Sequence, residues 1–110
     1  MSDQGANSAP LGDVATSLLH EDDRVRIWEL LLEPGEETAP HRHLLDHIIV
    51  VIEGERIAGV PHPLSTGRAA EYIEADVVPG RWFRQQRGGV EIARNVGTTR
   101  FREILIELKD

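Results

Sequence analysis

The stretch Gly35-Glu-Glu-Thr-Ala-Pro40-His41-Arg-His43-Leu-Leu-Asp46-His47-Ile-Ile-Val-Val-Ile-Glu53-Gly54 decides the reading of this chain. Residues two apart on a strand point the same way, so His41 and His43 present their imidazoles side by side, and a tight turn through Leu44 to Asp46 returns His47 toward them. The run His47 to Glu53 is apolar enough to be a strand covered on both faces, and Gly54-Glu55 turns it into the next short strand, ERIAGV. Imidazoles and carboxylates in such a set suit zinc, iron, nickel or manganese, whereas calcium wants more oxygens. By spacing alone, a solvent-facing His-x-His pair serves as well, and His47 can equally pack or donate to Asp46.

Outward from this segment the chain reads as strands separated by turns. Upstream, RVRIWELLLE carries β-branched and aromatic residues and stops at Pro34-Gly35. Downstream, PHPLSTGRAA is a loop, EYIEADVV ends at Pro79-Gly80, and WFRQQ, VEIAR and RFREILIEL follow, separated by turns at Arg87-Gly88-Gly89 and Asn95-Val96-Gly97. Ile104, Ile106 and Leu108 share one face of the last segment. Eight to ten short strands without a helical period, in 110 residues, predict a single all-β domain, two sheets folded on one another as a jelly roll or barrel. Residues 1–12, rich in small and polar residues, predict a flexible tail; 13–110 form the domain.

Composition narrows the function. There are 19 acidic and 12 basic residues, a net charge of −7, which argues against a nucleic-acid partner. No apolar run is long enough to span a bilayer, and no basic segment leads into an apolar one near the amino end, so no membrane association and a cytoplasmic location are expected. The absence of cysteine removes disulfides, thiolate metal sites and cysteine nucleophiles. No serine sits in a nucleophile elbow, no glycine-rich phosphate loop is present, and the single lysine, Lys109, is next to last in the chain. Metal-centred chemistry is what remains for an enzyme.

Taken together, the intervals resemble those of the cupin family. Its first motif runs glycine, five residues, His-x-His, three or four residues, glutamate, six residues, glycine; Gly35, His41, His43, position 47 and Gly54 keep these intervals, with histidine at 47 in place of glutamate. The second motif runs glycine, five residues, Pro-x-Gly, two residues, histidine, three residues, asparagine; Gly80, Gly88 and Asn95 keep it, with Gln86 for proline and Glu91 for histidine. Within the family the chain is similar to the small single-domain proteins grouped with the β-alanine degradation protein, through EPG, HRHLLDHIIVV, GGVEIARN and LIELK. A one-residue slip would put Ile92 at the histidine position; the asparagine spacing favours Glu91.

The resemblance implies a cupin-type double-stranded β-helix, a jelly-roll barrel, and a divalent transition metal (iron, zinc, nickel or manganese) held by His41, His43, His47 and Glu91. The exchange of glutamate and histidine between positions 47 and 91 preserves the charge of the ligand set. It further implies a metal-dependent protein acting on a small organic acid or dicarbonyl compound by Lewis-acid or oxygenase chemistry. The alternative is a cupin that binds or senses a small ligand without turnover. A small-molecule partner and a homodimer paired through edge strands or sheet faces are expected. Asp46 either orients an imidazole or caps its turn. Arg94 and Arg102, turned inward, would favour a carboxylate ligand; turned outward, they are solvated. Trp82 is the aromatic residue best placed to reach a pocket mouth.

Overall fold

The computed structural model describes residues 11–110. Among the described residues ten strands follow one another: β1 (Ser17–Glu21), β2 (Val25–Leu32), β3 (His41–Arg42), β4 (His47–Glu53), β5 (Arg56–Gly59), β6 (Ile73–Asp76), β7 (Trp82–Gln85), β8 (Val90–Glu91), β9 (Ala93–Asn95) and β10 (Phe101–Leu108), with a 3-10 turn at Gly67–Ala70. The expected tail falls mostly on residues 1–10, which lie outside the described residues; Gly12 N–H donates to Pro40 O at 2.8 Å.

All pairings are antiparallel, and they make three separate sheets: β1-β2-β10-β4-β7, β3-β8 and β6-β5-β9. The expected jelly-roll barrel does not form, because no sheet closes on itself. Closure needs an unbroken ladder of backbone hydrogen bonds around the ring. Among the described residues the five-stranded sheet ends at β1 and β7, which do not pair with each other. Pro40, which has no N–H to give, stands before β3, and the turn through Gly88-Gly89 stands before β8, so each of these strands is two residues long. The all-β class holds, and among the described residues no strand ladder joins the small sheets to the large one.

Alternation decides what lies between the sheets. On β2, Leu30 and Leu32 are buried, and on β10 Phe101, Leu105 and Glu107 are, each two residues from the next inward position. Leu30, Leu32, Val51 and Phe101 form the packed cluster of the core; each such side chain, fully buried, contributes about 1.5–3 kcal/mol. Gly54, at φ +135°, lets the backbone pass Phe101, whose Cδ1 would stand 3.0 Å from any Cβ placed there. Ile104, Ile106 and Leu108 do share a face, and it is the opposite one, half-buried alongside Ile48 and Val50. Trp82 lies on this outer face opposite Val50, 63% exposed, so it reaches no pocket mouth. A dimer made through a sheet face would cover these residues.

Asn95 is fully buried and ties the last turn to the core. Its amide donates to Leu32 O at 2.9 Å and to Thr99 O at 2.8 Å, and its Oδ1 accepts from Gly97 N–H at 2.9 Å. Asn95→Ala removes all three bonds and strands their partners, so urea unfolding should show a loss of about 2–4 kcal/mol, with an unchanged slope. A loss within 0.5 kcal/mol or so would mean that the turn is held elsewhere.

Candidate metal centre

The cluster is a product of strand register. His41 on β3 stands directly opposite Glu91 on β8, and two further backbone bonds, His43 N–H to Gly89 O at 2.9 Å and Gly88 N–H to His43 O at 2.6 Å, carry the extended pairing on to His43. His41 and His43 therefore face the same side, as their spacing predicts, and Glu91 meets them from across the ladder. One ligand atom from each of His41, His43 and Glu91 lies within 4.8 Å of the others. The two histidines are buried and the carboxylate is half-buried. The His41 and His43 rings meet edge to face, with centroids 5.0 Å apart.

Each side chain is prepared for a cation in its own way. His41 Nδ1–H donates to Ala39 O at 2.9 Å, which fixes the tautomer and leaves the lone pair on Nε2. Burial holds the His41 pKa below the ordinary imidazole value, favouring the neutral form that a metal requires. The His43 imidazole beside Glu91 holds that carboxyl below the usual range, against the opposing effect of burial, so it is ionised. His43 is the unusual member. It is 3% exposed, and among the described residues neither ring nitrogen has a hydrogen-bond partner; Nε2 stands 3.3 Å from Glu91 Oε1 without the alignment of a hydrogen bond. Leaving a buried polar nitrogen unpaired costs about 1–3 kcal/mol, a cost that a ligand-accepting nitrogen recovers when the ligand arrives.

His47, the fourth residue expected in the set, lies beside the cluster. Its ring stacks on His43 with centroids 3.9 Å apart and 17° between planes. Its Nδ1–H donates to Leu45 O at 2.9 Å, and its Nε2 stands 2.9 Å from the amide of Gln85, its cross-strand partner on β7. A neutral His47 protonated on Nδ1 pairs best when Gln85 turns its NH2 toward Nε2. Asp46 orients no imidazole: its Oδ1 accepts from Arg87 N–H at 2.9 Å and from Arg87 Nε at 3.1 Å, capping the turn before β8. Arg94 pairs with Glu37 and Arg102 with Glu29, each at 2.6 Å, so neither points at the site. His20 pairs with Asp22 at the surface, and His62 accepts from Leu64 N–H in its loop.

Three inward side chains were missed by sequence reasoning. Gln85 braces His47; Glu107, cross-strand from His47, accepts from Trp28 Nε1 at 2.7 Å; Glu103 faces a cavity. The available signal was the alternation Phe101, Glu103, Leu105, Glu107, which places two acids on the apolar side of β10. One cavity borders the cluster through Glu91, and a second shares part of its wall. One of about 280 Å³ includes Glu91, Gln85, Ile92 and Arg68 in its wall, and a second of about 240 Å³ includes Gln85, Ile49, Phe83, Phe101 and Glu103. Gln85, Ile57 and Ala75 line both.

The family described as auxin binding protein matches residues 2–69, more than half of the chain. The chain belongs to that family. This auxin-binding-protein family member shares its fold with cupin domains of known structure. A cupin domain from Bordetella pertussis Tohama I superposes with a TM-score of 0.74 at 22% identity, over 86% of this chain and 91% of that one. A cupin superfamily protein from Desulfitobacterium hafniense DCB-2 gives 0.62 at 20% identity, over 94% and 84%. Oxalate oxidase gives 0.59 at 24% identity, over 77% of this chain and 42% of that enzyme, less than half of its length. No curated protein matches, and nothing found ties the chain to the β-alanine degradation group. Among the described residues, no helix is long and apolar enough to cross a membrane.

Proposed function

We propose that this is a metal-dependent cupin whose His41, His43 and Glu91 hold a divalent transition ion, and that it receives a small organic acid or dicarbonyl compound in the adjoining cavities. The observation that carries this reading is His43: a buried imidazole with both nitrogens unpartnered, converging with a second imidazole and an ionised carboxylate. Two histidines and one carboxylate are a donor set for zinc, iron, nickel or manganese, with coordination positions left for a ligand. An ion bound there would polarise a carbonyl or carboxylate oxygen. The protein's own groups do the rest. His41 presents Nε2 because Ala39 occupies Nδ1, His47 packs against His43 under the restraint of Leu45 and Gln85, and Glu91 supplies the negative charge.

Small acids suit the site for three reasons. Oxalate oxidase, the enzyme that shares the fold, has been seen with glycolate as a substrate analogue. The family's name speaks of an auxin, a class of small carboxylic acids with apolar bodies. The second cavity is walled largely by apolar side chains such as Ile49, Val51 and Phe101. A net charge of −7 disfavours nucleic acid as an alternative occupant. The family name also supports a second reading, binding of such an acid without turnover; the two readings divide on whether a bound acid is chemically changed.

The metal set is tested by zinc titration against a chromophoric chelator. The wild-type protein should bind one zinc per chain, and Glu91→Gln, which keeps the shape and removes the charge, should bind about 10–100-fold more weakly. Equal affinities would remove Glu91 from the set.

A further inference from the structure

The second cavity holds a group that the metal set does not use. Glu103 on β10 is partly buried between Leu30 on β2 and Val51 on β4, its register partners, and its side chain faces the apolar cavity lined by Ile49, Val51, Ile57, Phe83 and Phe101. Among the described residues no hydrogen bond satisfies its carboxyl. The surrounding charges are otherwise committed or distant from it. Asp76, in the same cavity wall, pairs with Arg56 at 2.6 Å, and Arg81 is exposed at the rim. Glu107, on the same strand, is bound by Trp28 and Arg26. Arg68 and Glu71 line the other cavity. Glu91, which stands with His41 and His43, lines the neighbouring cavity, and Gln85, Ile57 and Ala75 belong to both cavity walls. Burial, with the charge of Glu91 added, pushes the Glu103 carboxyl up to about 8, so it changes charge in a range where small acids and enols give up protons.

We propose that Glu103 is the proton acceptor for the ligand held at the cluster, a catalytic residue that sequence spacing did not reveal. The inference rests on the reading of His41, His43 and Glu91 given above, and it specifies the ligand further: a compound that must lose a proton next to a carbonyl, or from an enol, as it binds. In that step an O–H or C–H bond of the ligand breaks, its electron pair stays on the ligand as an enolate, and the proton forms a new O–H bond on Glu103. No oxidant or reductant is needed. The geometry suits the step because an unpartnered carboxylate in an apolar wall is a stronger base than one in water, and because the cavity that Glu103 faces shares Gln85, Ile57 and Ala75 with the cavity that Glu91 lines.

The test counts protons. Acetylacetone is titrated into zinc-loaded wild type and zinc-loaded Glu103→Gln at pH 8, in two buffers that differ in ionisation enthalpy. Glutamine is close in size and cannot take the proton, so the variant should release about one proton per enolate bound, and wild type measurably less, because Glu103 retains part of it. Any uptake by a water at the metal is common to both proteins and cancels in the difference. Equal release from the two proteins, with both still carrying zinc, would overturn the role of Glu103 and leave the metal set standing. Zinc-loaded protein that gives no heat with acetylacetone would overturn it as well. Failure of either protein to take up zinc would overturn both this inference and the reading of the cluster.

Discussion

Metal-free Glu103→Gln is expected to lose much less stability than wild type as the pH is raised from 5 to 8. The carboxyl is lifted from the ordinary 4.5 to about 8 in the folded chain, chiefly by burial and further by Glu91. Between those values the folded state binds the proton more tightly than the unfolded chain does, so folding stability falls as pH rises. The contribution is complete below the unfolded value and is lost as the pH climbs through the folded one. At 1.36 kcal/mol per pKa unit the full span would approach about 5 kcal/mol, and because the carboxyl reaches a cavity open to water, about 2–4 kcal/mol is the expected difference.

Other groups move in the opposite sense and must be subtracted. His41, whose value is lowered by burial, adds stability as pH rises toward 6.5, and Asp22 and Asp46, lowered by their hydrogen bonds, add theirs below the ordinary carboxylate range. All are present in both proteins, so the difference between the wild-type and Glu103→Gln curves isolates Glu103. Urea melts at pH 5, 6, 7 and 8 in the presence of a chelator check the prediction. Parallel curves would mean that Glu103 is solvated.

The second large effect concerns His43. In the metal-free protein His43→Ala removes an imidazole whose two buried nitrogens have no partner, so the loss of packing is offset by relief of unpaired polar atoms, and stability should change by about 1 kcal/mol or less. Metal reverses this balance. With free zinc at 100 times its dissociation constant, binding stabilises the folded state by about 2.7 kcal/mol, roughly a 10 °C rise in Tm for a domain of this size. Wild type should show that rise. His43→Ala, left with one histidine and Glu91, should show little of it. Thermal melts of both proteins with and without zinc read the effect, and an equal rise in both would place the stabilising ion elsewhere.

The cluster was more legible in the sequence than the architecture around it. His41 and His43 are two apart on a strand and meet by local geometry alone, so their spacing sufficed. Glu91 was reached only through the interval to Asn95; its place opposite His41 is a matter of register between strands that are fifty residues apart in the chain. The same nonlocality hid the surroundings of His47. Its position beside His43 was foreseen, but the Gln85 amide opposite it on β7 had no motif to announce it. Sheet closure failed for a related reason, since alternation locates strands without saying whether ladders join at their ends, and Pro40 and Gly88-Gly89 cut two of them short. Glu103 and Glu107 were written plainly in the alternation of the last strand, yet that strand has an apolar residue on either face of nearly every turn of the pleat. Which face turned inward was settled by Phe101 and Leu105 packing on β2 and β4.

Whether His41, His43 and Glu91 hold one ion is tested most directly by the metal content of untagged protein by inductively coupled plasma mass spectrometry, measured on wild type and His43→Ala prepared in parallel. Near one equivalent of zinc, iron, nickel or manganese per wild-type chain, absent from the variant, is the expected result. No transition metal in wild type even after reconstitution, or an equal content in both proteins, would contradict the account.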